Sequence, residues 1–479
     1  MLHLAAPVAV SFALAARFFS GPALCMQGVP SSEVHGAATA QTAARPTLSD
    51  DAREAIDFLR YVLAQDGREG ARELLRETVA ELADPLPGEE QSHILFLLEL
   101  DRLAKELECP EESRRLCEAV LGVRTRILQP DHTEVLEAEL SLADARIALG
   151  DIQGARELEE QVHEARSRLL NPDHPFLLAV KFRLASSRAE LGDLRGAEEL
   201  EEQVVAAFTR ILPADHHDLL KTKQNLAVTK ADLGDLAGAQ RLGEEVLAAH
   251  LRVSPPDDAD SLAVRNNLAL VRYQLGDLEG ARELFEAVVE AWTRQLPADD
   301  HGLLAAKENL SITRRKLGDL AGAQELEEQV YAARARILPA DHHDLLVTKQ
   351  NLAVTRYDLG DQAGAQELLQ EVLALWTRQL SPDHPDLLAT KQNLAVMMNG
   401  LGNPAGAREL GEEVLAARTR LLPADHPDLV GCKNNVASVR YALATWLARE
   451  SSWKRYGLPR CISFHPTTPI PCKSRGTSP

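Results

Sequence analysis

Aromatic side chains make up only 4% of the 479 residues. A core dominated by rings is thereby excluded, and small aliphatic residues must fill the interior. No apolar run reaches the ~20 residues that a membrane-spanning helix needs. The six cysteines, Cys25, Cys109, Cys117, Cys432, Cys461 and Cys472, contain no C-x-x-C pair and are scattered along the chain. That spacing argues against a disulfide framework or a zinc site, and reduced thiols in a cytoplasmic setting are expected. Positive charge is short: 52 Lys and Arg against 72 Asp and Glu leave a net charge of −20. A chain so acidic repels phosphate backbones, so nucleic acid is not an expected partner and a protein or peptide is. Catalytic signatures are missing too. There is no G-x-x-x-x-G-K-[ST], no G-x-G-x-x-G after a strand, no H-E-x-x-H and no G-x-S-x-G. His163-Glu164 lacks the second His. The expectation is no catalytic residue, no cofactor and no metal.

What the chain has instead is a period. Leu-Gly-Asp begins at Leu149, Leu191, Leu233, Leu275, Leu317 and Leu359, and Leu-Gly-Asn at Leu401, each 42 residues after the last. A Gly-Ala pair follows in the same register, from Gly154-Ala155 to Gly406-Ala407. Self-similarity at this spacing is the signature of a repeat array. Each period reads as two helices. Val264, Leu268, Val271 and Leu275 form one apolar stripe, and Ala281, Leu284, Val288 and Ala291 form a second. Gly276 reads as the stop between them and Asp277 as the next N-cap. The Gly280-Ala281 pair reads as the point of close helix approach. A basic residue near the end of the second helix, Arg294 here and Arg126, Arg168, Arg210, Arg252, Arg336, Arg378 and Arg420 elsewhere, complements the helix dipole. The predicted fold is all-α: an α-solenoid, a superhelical stack of antiparallel helical hairpins. Its divisions are two degenerate repeats over 52–135, seven clear repeats over 136–429, and a capping helix over 430–450.

Asn-Leu-Ala, then Leu-Gly-Asp, then Gly-Ala, then a Pro-Asp-His-Pro turn on a 42-residue period resembles the tetratricopeptide repeats of the kinesin light chain type. The match is good over 136–429 and weak over 52–135. The tyrosine that family places in its first helix is mostly basic here, at Arg146, Arg188, Lys230, Arg272, Arg314, Arg356 and Arg440. No heptad coiled coil precedes the array, so a motor-subunit role does not follow. The resemblance implies a concave groove that holds a peptide. Asn225, Asn267, Asn309, Asn351, Asn393 and Asn435 recur on the helix face that would line it. An amide offers two donors and an acceptor, so it can pair with a peptide backbone of any sequence. Ala263, Leu270, Val228, Val354 and Val396 would add apolar contact. The other reading is that each Asn bonds to the adjacent repeat and fixes stacking. A basic column, Lys181, Lys223, Arg265, Lys307, Lys349, Lys391 and Lys433, either attracts acidic cargo or pairs with second-helix carboxylates such as Glu202, Glu244, Glu286 and Glu328. Trp292 and Trp376 share one repeat position and are expected to pack between helices.

Asp-His-His-Asp at 215–218 and 341–344 contains good ligands for a divalent cation. The period offers a plainer reading. Asp131, Asp173, Asp215, Asp257, Asp299, Asp341, Asp383 and Asp425 are all in register, mostly with an acid three residues on (Glu134, Asp218, Asp260, Asp344, Asp386, Asp428). That is the spacing of a capping box at the start of each first helix. On this reading the second His stands in for a helix-starting Pro and carries no demand of its own. Residues 1–28 read as an apolar N-terminal segment, which leaves a secretory or organellar location as the alternative to the cytoplasm. Residues 29–51 read as a linker and 451–479 as a disordered basic tail. The leading functional expectation is a non-enzymatic scaffold binding a partner's peptide segment in its groove. The alternatives are an oligomerising module with contacts at its edges and ends, and, remotely, a metal-dependent hydrolase built on the two Asp-His-His-Asp segments.

Overall fold

The computed structural model describes residues 48–456 apart from 66, 83, 84, 86, 87 and 425. The segments read as an N-terminal apolar stretch and most of the linker lie outside it, as do Asp425 and the tail from residue 457. Among the described residues there are nineteen helices and no strand. The chain divides into two compact units at Pro255 and Pro256. The first holds α1 (Asp50–Gln65), α2 (Gly67–Ala80), α3 (Glu90–Glu106), α4 (Pro110–Ile127), α5 (Thr133–Ala148), α6 (Ile152–Leu169), α7 (Pro175–Glu190), α8 (Leu194–Ile211), α9 (His217–Asp232) and α10 (Leu236–Val253). The second holds α11 (Ala259–Leu275), α12 (Leu278–Gln295), α13 (His301–Leu317), α14 (Leu320–Ile337), α15 (His343–Asp358), α16 (Gln362–Gln379), α17 (Pro385–Gly400), α18 (Pro404–Leu421) and α19 (Pro427–Tyr456). Within each unit, helices adjacent in sequence pack side by side, which makes each a solenoid of stacked hairpins.

The α11–α12 hairpin shows how one period folds. Leu262, Val264, Leu268 and Val271 of α11 are buried, as are Ala281, Phe285, Val288, Ala291 and Trp292 of α12. Leu275, expected to extend the core stripe, is exposed because the helix ends there. Leu284 is half-buried and Phe285 takes the core position beside it. At the turn Gly276 adopts φ +84°, and the Asp277 N–H donates to the Arg272 carbonyl at 2.9 Å. The Asp277 carboxylate then accepts from the Gly280 N–H at 3.0 Å, capping α12. A Cβ on Gly280 would lie 2.2 Å from that carboxylate. This glycine therefore makes room for the cap, and buried Ala281 makes the close helix approach.

The left-handed glycine recurs at Gly150, Gly192, Gly234, Gly318, Gly360 and Gly402. Gly360, at φ +98°, has nothing within 4 Å of a built Cβ, so alanine there meets only conformational strain. Gly360→Ala is expected to destabilise the second unit by about 1–2 kcal/mol in urea unfolding; an unchanged midpoint would contradict the strain argument.

The first helices start one residue later than the sequence pattern suggested. The caps are His132, His174, His216, His342, His384 and His426, whose Nδ1 accepts the backbone N–H two residues on at 3.2–3.3 Å. Asp258 and Asp300 do the same work with a carboxylate. An imidazole Nδ1 reaches about as far as an Asp oxygen, so it can replace one. The aspartates before these caps are free to pair across the repeat: Arg294 meets Asp257 at 2.8 Å, and Arg420 meets Asp383 at 2.8 Å.

Candidate functional site

The asparagine column sits mid-way along the first helices, and its members differ in exposure. Asn225 in the first unit is half-buried, as are Asn267 and Asn309 in the second. Asn351, Asn393 and Asn435 are buried. The Asn351 amide donates to Glu308 of the preceding first helix at 3.4 Å, a bond that fixes stacking. Its Oδ1 has no partner, nor has the Nδ2 of Asn267 or either amide atom of Asn393. The apolar neighbours are less available than expected. Val228, Leu270, Val354 and Val396 are all buried, Leu270 against Phe285 and Leu310, and Val354 against Leu369 and Leu394. Asn309 itself borders Leu270, Tyr273, Phe285, Ile312 and Thr313, of which only Tyr273 is not buried.

The basic column is largely engaged inside its own hairpins. Lys223 bonds Glu245 at 2.7 Å, Lys349 bonds Glu371 at 3.1 Å and Lys391 bonds Glu413 at 2.5 Å. Lys181 and Lys307 donate instead to Gln203 and Gln329. Arg265 faces a repeat in which Ala287 holds the partner position. The glutamates anticipated as partners serve the other basic column. Glu202 meets Lys230, Glu286 meets Arg314 and Glu328 meets Arg356, each joining one repeat to the next. One residue along a helix turns the side chain by about 100°, enough to separate these two sets of carboxylates.

The Asp-His-His-Asp segments resolve into structural parts. His216 and His342 are caps, as above. His343 reaches across to the next repeat, where its Nε2 lies 3.0 Å from Asp386, and its ring stands edge-on to Trp376 at 5.1 Å. Trp376 stacks in turn against His384 at 6.4 Å. Among the described residues, no group of three or more His, Cys, Asp or Glu could hold a metal ion.

Two buried polar columns escaped the sequence reading. The position of Trp292 and Trp376 holds Arg334 and Arg418 in other repeats. Arg334 donates to Glu308 at 2.9 Å and to the Asp344 carbonyl at 3.1 Å, tying the start of α15 to α14. Arg418 does the same for α19, bonding Gln392 at 2.6 Å and the Asp428 carbonyl at 3.2 Å. The signal was a pairing across 26 residues: Glu308 with Arg334 and Gln392 with Arg418. The second column places Glu159, Glu201 and Glu327 in the interior. Burial pushes the Glu159 carboxyl above the usual carboxylate range. Burial likewise pushes Glu327 up to about 7.

Residues 260–336 and 340–420 match one tetratricopeptide repeat family, and residues 141–176 and 219–260 match a second of the same description. No curated protein matches the chain in sequence. Solved structures do. The nearly identical TPR-like repeats of a kinesin light chain from Podosopora anserina share 28% identity over 44% of this chain and 99% of that one, with a TM-score of 0.40. BtubC (BKLC) from P. vanneervenii shares 22% identity over 50% of this chain and 92% of that one, with a TM-score of 0.38. The apo quorum sensor NprR from B. thuringiensis shares 13% identity over 77% of this chain and 98% of that one, with a TM-score of 0.55, a likeness of fold.

Proposed function

We propose, for a chain that is a tetratricopeptide-repeat protein and so an interaction scaffold, that its second unit holds an extended peptide segment along the first-helix face carrying Asn267, Asn309, Asn351 and Asn393, without catalysing a reaction on it. The observation that carries this reading is the unmet hydrogen-bonding capacity on that face: the Nδ2 of Asn267, the Oδ1 of Asn351 and both amide atoms of Asn393. An unpartnered buried amide costs about 1–3 kcal/mol. A peptide backbone presents N–H and C=O groups at regular intervals and would recover part of that cost at Asn267, whereas Asn351 and Asn393 are buried and would have to be uncovered first. Asn267 and Asn309, half-buried, are the members a peptide reaches first. Selectivity for backbone over side chains also fits the short supply of free charge on this face, where Lys307, Lys349 and Lys391 are tied to Gln329, Glu371 and Glu413.

The test uses peptides selected from a random display library against the intact chain. Asn267→Ala combined with Asn309→Ala is expected to weaken the selected peptides by at least tenfold, about 1.4 kcal/mol, in a calorimetric titration. Unchanged affinity with unchanged helix content by circular dichroism would remove the groove reading.

A further inference from the structure

Among the described residues, the last helix of the second unit displays a face that the two hairpins before it cover. In α17, Leu388, Gln392 and Ala395 are buried beneath α18, with Leu388 against Val414 and Ala417, and Ala395 against Ala407. In α15, Leu346, Gln350 and Ala353 are buried in the same way. The equivalent residues of α19, 42 positions on, are Val430, Asn434 and Ala437, and all three are exposed. Val430 is 44% exposed, and Tyr441, one helical step further along, is 74% exposed. The turn signals are lost in register: Thr445 stands at the cap position of Asn403 and Ala448 at that of Gly406. Ala444 stands where Gly318, Gly360 and Gly402 take φ of +91°, +98° and +81°. Alanine disfavours that conformation, the turn is not made there, and α19 continues to Tyr456, where the described residues end.

The same gap leaves a charge without its counterpart. Lys307, Lys349 and Lys391 each bond an amide or carboxylate 22 residues on, in the second helix of their own hairpin. Lys433 is exposed and has no such partner among the described residues. The chain thus specifies its own complement: a helix with small and aliphatic residues to cover Val430, Ala437 and Tyr441, and a carboxylate to meet Lys433. Residues 457–479 do not fit that description, since they contain no Asp or Glu and carry Pro459, Pro466, Pro469, Pro471 and Pro479. A second copy docked symmetrically on this face would set Lys433 against Val430, Asn434, Ala437, Tyr441 and another Lys433, with no carboxylate among them.

We propose that the open face of α19 docks an acidic amphipathic helix of a partner protein, seated where the second helix lies in the earlier hairpins and pairing a carboxylate with Lys433. This site is separate from the asparagine column, which lies on other first helices of the unit as well.

The probe is a fluorescent, lactam-bridged peptide of residues 404–421, the α18 sequence, whose Glu413 is the partner of Lys391. Titrated with the full chain, it is expected to bind saturably. Tyr441→Arg, at an exposed position that leaves the fold intact, should abolish binding. Lys433→Glu should weaken it about fivefold, and a peptide carrying Glu413→Lys should recover that loss against the Lys433→Glu chain. Asn267→Ala with Asn309→Ala should leave it unchanged, which separates this result from the fate of the groove reading. Absence of saturable binding, or binding indifferent to both Tyr441→Arg and Lys433→Glu, overturns the proposal. So does sedimentation showing a dimer that Val430→Arg dissolves, or binding that appears only once residues 457–479 are removed, since either gives the face a different occupant.

Discussion

Replacing Trp376 by alanine is expected to destabilise the second unit by about 3–5 kcal/mol, the range for removing a large buried ring. Trp376 is 1% exposed and packs against Leu346, Val372 and Leu387, which belong to three successive helices, α15, α16 and α17. It also lies between the His343 and His384 rings. Truncation would remove contacts inside one hairpin and between that hairpin and the next. In a solenoid the second kind is what couples repeats into a cooperative unit. The expected result is therefore a lower urea midpoint together with loss of amide protection concentrated in α15–α17, read by hydrogen exchange. Trp376→Phe should cost much less. Phe208 occupies the same repeat position in the first unit and is fully buried. The indole Nε1 has no hydrogen-bond partner, so phenylalanine also relieves a buried orphan. If alanine cost under about 1 kcal/mol, the site would be collapsing around the loss and the coupling argument would fail.

Helix existence, pairing and turn chemistry were legible because each rests on short-range physics that repeats. A glycine at φ > 0 followed by an aspartate cap leaves a signature readable at every Leu-Gly-Asp. The starts of the first helices were misread by one residue because imidazole is rarely counted as a cap, and His-Asp and Asp-His look alike to a pattern built on carboxylates. Leu270 and Val354 were assigned to a groove because helical spacing tells which residues share a face. It does not tell how far the next helix wraps around that face, and both are buried. The exposed end of α19 was hidden for the opposite reason. Ala444 looks like an ordinary helix residue unless it is set against the glycines in register with it. The buried columns were missed because a single Glu or Arg in an acidic, helical sequence reads as surface, and only its partner 26 or 28 residues away reveals it.

Glu327 is the sharpest instance, and its replacement should raise stability. It lies on α14 with no exposed surface. Its Oε1 accepts from the Thr355 hydroxyl at 2.9 Å and the Ser311 hydroxyl at 3.4 Å, while Oε2 has no partner. Burial is the main cause that pushes its carboxyl up to about 7, with Glu308 adding to the rise and Thr355, Arg315 and Ser311 opposing it. The fold therefore favours the protonated acid relative to the unfolded chain, where an ordinary value of 4.5 applies. The stability linked to protonation is fully present below about pH 4.5, falls as pH rises and is gone above about pH 7. A shift of that size corresponds to about 3 kcal/mol. Glu327→Gln keeps the shape of the acid without its charge, so at pH 8 it should be more stable than the natural chain by up to about 3 kcal/mol. The advantage should shrink toward zero as pH falls to 4.5, the value at which the unfolded carboxyl also protonates. Glu327→Leu copies Leu369, which fills the same repeat position one period on, and should share the gain at pH 8. It should trail the Gln variant by the same margin at pH 8 and pH 5, because the Thr355 hydroxyl loses its acceptor at every pH. Urea unfolding of the three chains at pH 8 and pH 5 separates these outcomes. Equal stability at pH 8 would mean that the carboxylate is solvated in the folded chain. A gain at both pH values would mean that shape rather than charge is what this position resists. The sequence already carries the reason to expect charge: the buried glutamates Glu159, Glu201 and Glu327 are each followed 28 residues later by a hydroxyl, Ser187, Thr229 and Thr355, whereas Leu369 is followed there by Met397.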